Sequence, residues 1–117
     1  MKIVFTGAPG SGKTSLVKQF QQMGYPTISE TARILINEER RLGYPEPHHT
    51  NRVAFQEKVF TFQIKREQQI QGSPLILDRG IIDALSYFEL DGFPIPEHLS
   101  SIARNHHYDL VFYLQRV

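Results

Sequence analysis

The chain contains no cysteine, so disulfides and cysteine-ligated zinc are excluded. That absence fits a reducing compartment, and the expected location is cytoplasmic. An excess of one charge is also lacking. Thirteen Lys and Arg residues stand against 12 Asp and Glu, for a formal net charge of +1. So even a balance gives no electrostatic footprint for nucleic acid or for an anionic membrane, and neither partner is expected. Nowhere do 18 apolar residues follow one another, so no membrane-spanning helix is expected. The stretch Met1 to Gly7 has one lysine and a very short apolar run, too little for a secretory signal. Repeats and low-complexity segments are missing as well. What is present is 40% hydrophobic over 117 residues, enough for one domain spanning 1–117 with a real core.

Period and punctuation predict the elements. Lys2 to Thr6 is β-rich and stops at glycine, and it reads as a first, central strand. Lys13 to about Met23 is helical, with Leu16, Val17 and Phe20 on one side and Gly24 as the stop. "YPTIS" is a short second strand. "ETARILINEERRLG" is a helix whose Ala32, Leu35 and Ile36 share a face, closed by Gly43. The two prolines of "YPEPHH" predict a loop. A long helix is expected from about Asn51 to Gln71, with Phe55, Val59 and Phe62 as its core stripe. "PLILD" is a continuous apolar run ending in an acid, the pattern of a buried parallel strand. Ile81 to Leu90 and Glu97 to about His106 are helical, separated by the turn "DGFPIP", and "DLVFYL" is a last apolar strand. The order β-α-β-α-α-β-α-α-β implies an α/β fold with a mostly parallel sheet of about four strands and helices on both faces. Ligands in such folds bind at the carboxyl ends of the strands. Three unusual groups fall there: Gly7 to Thr14, Glu30 with Arg33, and Asp78 with Arg79.

The first group, "FTGAPGSGKT", satisfies G-x-x-x-x-G-K-[ST] through Gly7, Gly12, Lys13 and Thr14, with Gly10 as a third glycine. It lies between a strand and a helix, the context the motif needs. Consecutive backbone N–H groups can turn inward around a phosphate, and the helix N-terminus adds about half a positive charge. Lys13 brings a full charge to the β- and γ-phosphates, and the Thr14 hydroxyl can ligate Mg²⁺. Gly7, Ala8, Pro9, Gly10, Ser11, Gly12, Lys13, Thr14 and Ser15 are therefore the candidate nucleotide-binding residues, with ATP and Mg²⁺ as the expected ligands. Asp78 closes a hydrophobic strand and is the candidate partner acid, for the metal or for the attacking hydroxyl. Read from the residues alone, Glu30 is equally an acid favoured at a helix N-terminus, and Arg33 a surface residue.

The loop resembles the Walker A loop of P-loop nucleoside triphosphatases. Its form Gly7-x-x-Gly10-x-Gly12-Lys13-Thr14 is most similar to small-molecule kinases such as thymidylate and adenylate kinases. The Asp78-Arg79 pair resembles the Asp-Arg of thymidylate-kinase-like and deoxynucleoside-kinase-like enzymes. "SETARILI" looks like the Glu-x-Ala-Arg element of nicotinamide-riboside-kinase-like, AAA-family ATPase-like domains. The resemblance implies a three-layer α/β/α P-loop fold. It implies that Lys13, Asp78, Arg79 and Glu30 are catalytic, that Thr14 and Asp78 serve the metal, and that Glu30, Arg33 and Arg79 face the acceptor. Tyr44, His48 and Asn51 border the acceptor loop by positional analogy.

Other features discriminate. A GTPase would carry D-x-x-G, but Gly80 follows Asp78 by two residues, and the guanine motif N-K-x-D is missing. An AAA+ motor would carry Asp-Glu where Asp78-Arg79 stands. The pairs His48-His49 and His106-His107 are read as surface or loop residues, because neighbouring side chains diverge. The kinases of the resemblance continue into an arginine-bearing lid and a fifth strand. Those are expected to be missing here beyond "LQRV", with Arg116 as the start of a lid and the last strand as an uncovered edge open to self-association. The expected function is ATP-dependent phosphoryl transfer to a small nucleoside- or nucleotide-like molecule, or ATP hydrolysis. A non-catalytic nucleotide-binding regulatory module is the alternative.

Overall fold

A computed structural model describes residues 1–8, 10–43 and 51–115. Nine elements follow in the predicted order: β1 (Lys2–Gly7), α1 (Lys13–Gln22), β2 (Thr27–Ile28), α2 (Thr31–Arg41), α3 (Arg52–Gln69), β3 (Leu75–Asp78), α4 (Ile81–Leu90), α5 (Glu97–Asn105) and β4 (Leu110–Leu114). The four strands form one sheet in the order β2-β3-β1-β4, parallel at every pairing. Phe5 lies opposite both Asp78 of β3 and Phe112 of β4, so β3 ends short of β1 and β4, which end together at Gly7 and Leu114. No helix among the described residues is long and apolar enough to cross a membrane.

The strands alternate their side chains between two faces, and each face has its own cover. Val4, Ile28, Leu75 and Leu77 turn to the face covered by the longer helices. There Phe55, Val59 and Phe60 of α3 pack with Ile81, Ala84 and Phe88 of α4 and Leu99 of α5. Each such side chain, fully buried, contributes about 1.5–3 kcal/mol. On the opposite face Phe5 and Ile76 meet Val17 of α1. Phe5 stacks between Phe20 and Phe112, with ring centroids 5.7 and 5.3 Å away. A three-layer α/β/α sandwich results.

Two readings from the pattern need correction. Phe62 is only partly buried, and the Arg66 guanidinium lies 5.8 Å above its ring. Phe60 takes the core place instead. The buried face of α3 runs through Phe55, Val59, Phe60, Gln63 and Glu67, so the helix is rotated toward two polar residues. His106 is not a surface residue either. Its Nε2 lies 2.8 Å from Oε1 of the buried Glu67, whereas His107 is exposed. The last strand is the sheet edge, as expected, and its own helices do not cover it: Leu110, Val111, Phe112 and Tyr113 are 45–67% exposed.

Candidate active site

The loop between β1 and α1 is shaped by its glycines. Gly12 stands at the N-cap of α1 with φ of +91°, a left-handed turn that a side chain resists. Gly7 has φ of +144°, and a Cβ there would lie 2.3 Å from the backbone oxygen of Leu114. The end of β4 thus sits directly on the start of the loop, and only glycine lets it do so. Ser11 N donates to Ala8 O across the loop at 3.2 Å. Ser11 Oγ is buried and has no hydrogen-bond partner among the described residues. Lys13, in the first turn of α1, is only 6% exposed. A lysine so enclosed is uncommon unless a charge of opposite sign lies near it. Pro9 lies outside the described residues.

Asp78 completes this half of the site. Strand β3 is buried over its whole length, and its terminal carboxylate is 2% exposed. Thr14 Oγ1 donates to Asp78 Oδ2 at 3.0 Å, and Lys13 Nζ stands 4.0 Å from Oδ1. Oδ1 itself has no hydrogen-bond partner among the described residues. Burial pushes the Asp78 carboxyl above the usual carboxylate range, against the opposing pull of Lys13 and Thr14. A buried carboxylate with one free oxygen beside a threonine hydroxyl suits a hard cation such as Mg²⁺. No group of three or more His, Asp or Glu among the described residues could hold a metal alone. Phosphate and water oxygens would have to supply the remaining positions.

The other half assembles around Arg79. Its backbone adopts φ of +71°, which costs a residue with a side chain about 1–3 kcal/mol. The surroundings enforce it. Arg79 N donates to Phe5 O at 2.9 Å, extending the ladder between β1 and β3 by one bond. Its Nη2 donates to Gly7 O at 3.0 Å and its Nη1 to Asp83 Oδ1 at 3.3 Å. Its Nε is 3.4 Å from Glu30 Oε1, within ion-pair reach but not aligned as a hydrogen bond. Glu30 caps α2, so the strand end of β2 and that of β3 meet through this pair. Between them lies a narrow recess of about 20 Å³, lined by Glu30, Arg79 and Asp83 and by the apolar surfaces of Ala32, Val59 and Tyr87. A second, more open cleft shares Arg79, Asp83 and Tyr87 and reaches Gly7 and Ala8 of the loop.

Lys13, Thr14 and Asp78 are thus brought together, and Glu30 and Arg79 are brought together beside them. Arg33 is exposed on α2 and does not line the recess. Asn51 caps α3 by accepting from Ala54 N at 3.1 Å. Ser15 is exposed in the first turn of α1. Tyr44, His48, His49 and Arg116 lie outside the described residues.

Several site residues escaped the sequence reading. Asp83 accepts from Gly80 N at 2.9 Å, from the Thr6 hydroxyl and from Arg79. Its signal was its place three residues into a helix that starts at glycine, where an acid can reach back to the N-cap backbone N–H. Gln63 backs the recess, receiving the Thr31 hydroxyl and donating to Glu67 Oε2 at 2.9 Å. Glu67 also accepts from Lys2 Nζ at 3.1 Å and from Tyr108 Oη at 2.7 Å, and Tyr108 Oη accepts from Ile81 N at 2.9 Å. Burial and the Glu67 charge push the Tyr108 hydroxyl far above its ordinary pKa, so it stays a donor.

Comparison with known proteins agrees with this architecture. A deoxyadenosine kinase from M. mycoides with bound dATP superposes with a TM-score of 0.55 at 16% identity, covering 97% of this chain and 64% of that one. The same enzyme with the products dCMP and a flexible dCDP gives a TM-score of 0.58 at 18% identity, covering 97% and 62%. The chain therefore spans just under two thirds of those kinases, and the likeness is one of fold. UPF0200 protein TK1334 of Thermococcus kodakarensis is 48% identical over 29 residues, 25% of this chain and 16% of that protein. A family model described as an AAA domain, AAA_28, matches residues 2–117. With a P-loop between its first strand and helix and the architecture of a small-molecule kinase, the chain belongs to this AAA domain family.

Proposed function

We propose that the protein binds ATP with Mg²⁺ in the Gly7–Thr14 cradle and transfers the γ-phosphoryl group to a hydroxyl of a small molecule that approaches Glu30 and Arg79. The observation that carries this reading is the adjacency of two unlike half-sites. One has buried, unfinished polar groups, Asp78 Oδ1 and Ser11 Oγ. The other is a recess with an acid–arginine pair at its edge.

Each residue then has a role. The loop backbone and Lys13 hold the phosphates, and Lys13 stabilises the charge that develops on the transferring group. Thr14 and Asp78 are the residues that would hold Mg²⁺, which when bound neutralises phosphate charge and aligns the oxygens for in-line transfer. Asp78 is poorly placed to be the base, since it is enclosed behind Thr14 and Lys13. Glu30, at the mouth of the recess, takes the proton from the acceptor hydroxyl as the new P–O bond forms. Arg79 orients Glu30 and ties it to Gly7, so donor and acceptor halves move as one unit.

The test is a phosphoryl-transfer screen over nucleosides, nucleotides and vitamin-like alcohols, run beside ADP release without acceptor. Acceptor-dependent ADP release is the expected result. Acceptor-independent release would make the protein an ATPase, and binding without release would make it a regulatory module. ATP with Mg²⁺ should also raise the melting temperature, and Lys13→Ala should remove most of that shift without unfolding the apo protein. An unchanged shift in the mutant would sink the cradle assignment. The exposed edge at Leu110–Tyr113 supports self-association as well. Sedimentation over a concentration series tests it, and a monomer at high micromolar concentration rules it out.

A further inference from the structure

Glu67 is buried on α3 and lines neither the recess nor the open cleft. Both of its carboxylate oxygens are engaged. Oε1 faces Lys2 Nζ at 3.1 Å and His106 Nε2 at 2.8 Å. Oε2 accepts from Gln63 Nε2 at 2.9 Å and from Tyr108 Oη at 2.7 Å. An acid enclosed in this way gives no stability that apolar packing could not supply as well, so its charge needs another reason. The two partners of Oε2 supply one, because both continue to the backbone of the turn between β3 and α4. Tyr108 Oη accepts from Ile81 N at 2.9 Å, and Gln63 Nε2 reaches Arg79 O at 3.5 Å. Between those two bonds the Tyr108 ring lies so close to Gly80 that a Cβ there would come within 2.9 Å of it. The turn that carries Arg79 at φ of +71° is thus gripped from behind. Gln63 Oε1 also receives the hydroxyl of Thr31, the residue after Glu30.

We infer that Glu67 is a positioning residue that holds the Arg79 turn in its left-handed form through Tyr108 and Gln63; its service to the transfer step rests on the reading of Arg79 and Glu30 as acceptor-side residues. The chemistry of the cluster explains why an acid stands there. A carboxylate only accepts. Tyr108 has one proton, and once it goes to Oε2 the phenol oxygen can meet the Ile81 N–H only as an acceptor. Gln63 must likewise turn its amide nitrogen toward Glu67, which leaves a second N–H for Arg79 O and the amide oxygen for Thr31. One oxygen therefore sets the direction of both chains of bonds. The left-handed backbone of Arg79 is unfavourable by itself. Its N–H is tied to Phe5 O, and the far side of the turn is tied to these two side chains. A turn released there would relax and draw the guanidinium away from Gly7 O and Glu30, at 3.0 and 3.4 Å.

The experiment reads the turn first and the reaction second. Amide hydrogen exchange, followed residue by residue by NMR, is compared at Ile81 and at Ile76, whose N–H is bonded to Pro26 O within the sheet. Tyr108→Phe keeps the ring against Gly80 and removes the hydroxyl. Exchange at Ile81 should accelerate by about tenfold more than exchange at Ile76. Glu67→Gln, whose amide can donate and so frees Tyr108 and Gln63 to reverse, should do the same. Equal acceleration at both amides means that only global stability has fallen, and it overturns the inference. This readout needs no substrate. On an acceptor found by the transfer screen, each variant should lower kcat by about tenfold or more, with the KM for ATP within about twofold of the wild type. An unchanged kcat in both variants overturns the inference as well. If Glu67→Gln does not fold, Tyr108→Phe decides both readouts. A wild-type protein that transfers no phosphate removes the transferase reading, and the exchange ratio then decides the inference alone.

Discussion

Asp78 and Asp83 stand at the two ends of one turn and are held in opposite ways. Asp78 is buried, takes one bond from Thr14 and leaves its other oxygen without a hydrogen-bond partner. Asp83 is partly exposed and fully engaged: Oδ2 accepts from Gly80 N, and Oδ1 faces the Thr6 hydroxyl and Arg79. A carboxylate left unfinished in the interior is unfavourable until a ligand completes it. A carboxylate already completed organises its neighbours. The same chemical group is thus left open in one place and braces the backbone in the other.

Substitutions can break or sharpen that contrast. Asp78→Asn should leave nucleotide affinity within a few-fold while phosphoryl transfer falls about a hundredfold or more, since size is kept and charge is lost. Equal rates would return Asp78 to a purely structural role. Glu30→Gln should lower kcat by tens of fold with nucleotide affinity unchanged, because the pair with Arg79 belongs to the acceptor half. Loss of ATP binding in that variant would show that the halves are not separable. Asp83→Asn should lower stability by about 1–2 kcal/mol, through the weakened cap at Gly80 and the lost partner of Arg79. Denaturant unfolding at constant m-value measures it, and an unperturbed midpoint would remove Asp83 from its bracing role.

The smallest effect is a pH dependence. Burial raises the Asp78 carboxyl in the folded protein above its unfolded value, so the folded state holds that proton more tightly. The stability this contributes is present at acid pH and is lost as pH rises through the raised folded value. Asp78→Asn should abolish the trend. The wild-type minus mutant stability should therefore decline from about pH 4 upward toward neutrality, and a difference that rises over that range contradicts the burial argument.

The donor half was legible because it is contiguous. Gly7 to Thr14 is one segment whose chemistry depends on backbone conformation, and glycine spacing writes that directly into sequence. Asp78 was legible through the apolar strand ahead of it. The acceptor half was harder, because Gln63, Asp83 and Tyr87 come from separate helices and meet only through packing. The face of α3 shows the difficulty most clearly. Phe55, Val59, Gln63 and Glu67 are each four residues apart and all buried, but a search for apolar period stops at Val59 and is drawn to Phe62. The polar continuation is stabilised by partners far along the chain: Thr31, Lys2, His106 and Tyr108. Such long-range satisfaction has no local signature. His106 was misjudged for the same reason, since adjacency to His107 says nothing about what either side chain reaches.

The register of β1 has a consequence for how the protein is made. Lys2 pairs with Leu75, and Val4 with both Leu77 and Val111. Neither neighbour of this strand is local, and the bond from Lys2 N to Asp109 Oδ2 spans almost the whole chain. Pairings so distant must overcome a large loop-closure entropy before they return any stability. The strand that leads into the Gly7–Thr14 loop is therefore late to acquire its neighbours. The end of β1 at Gly7 therefore takes its place only once β3 and β4 have paired with it.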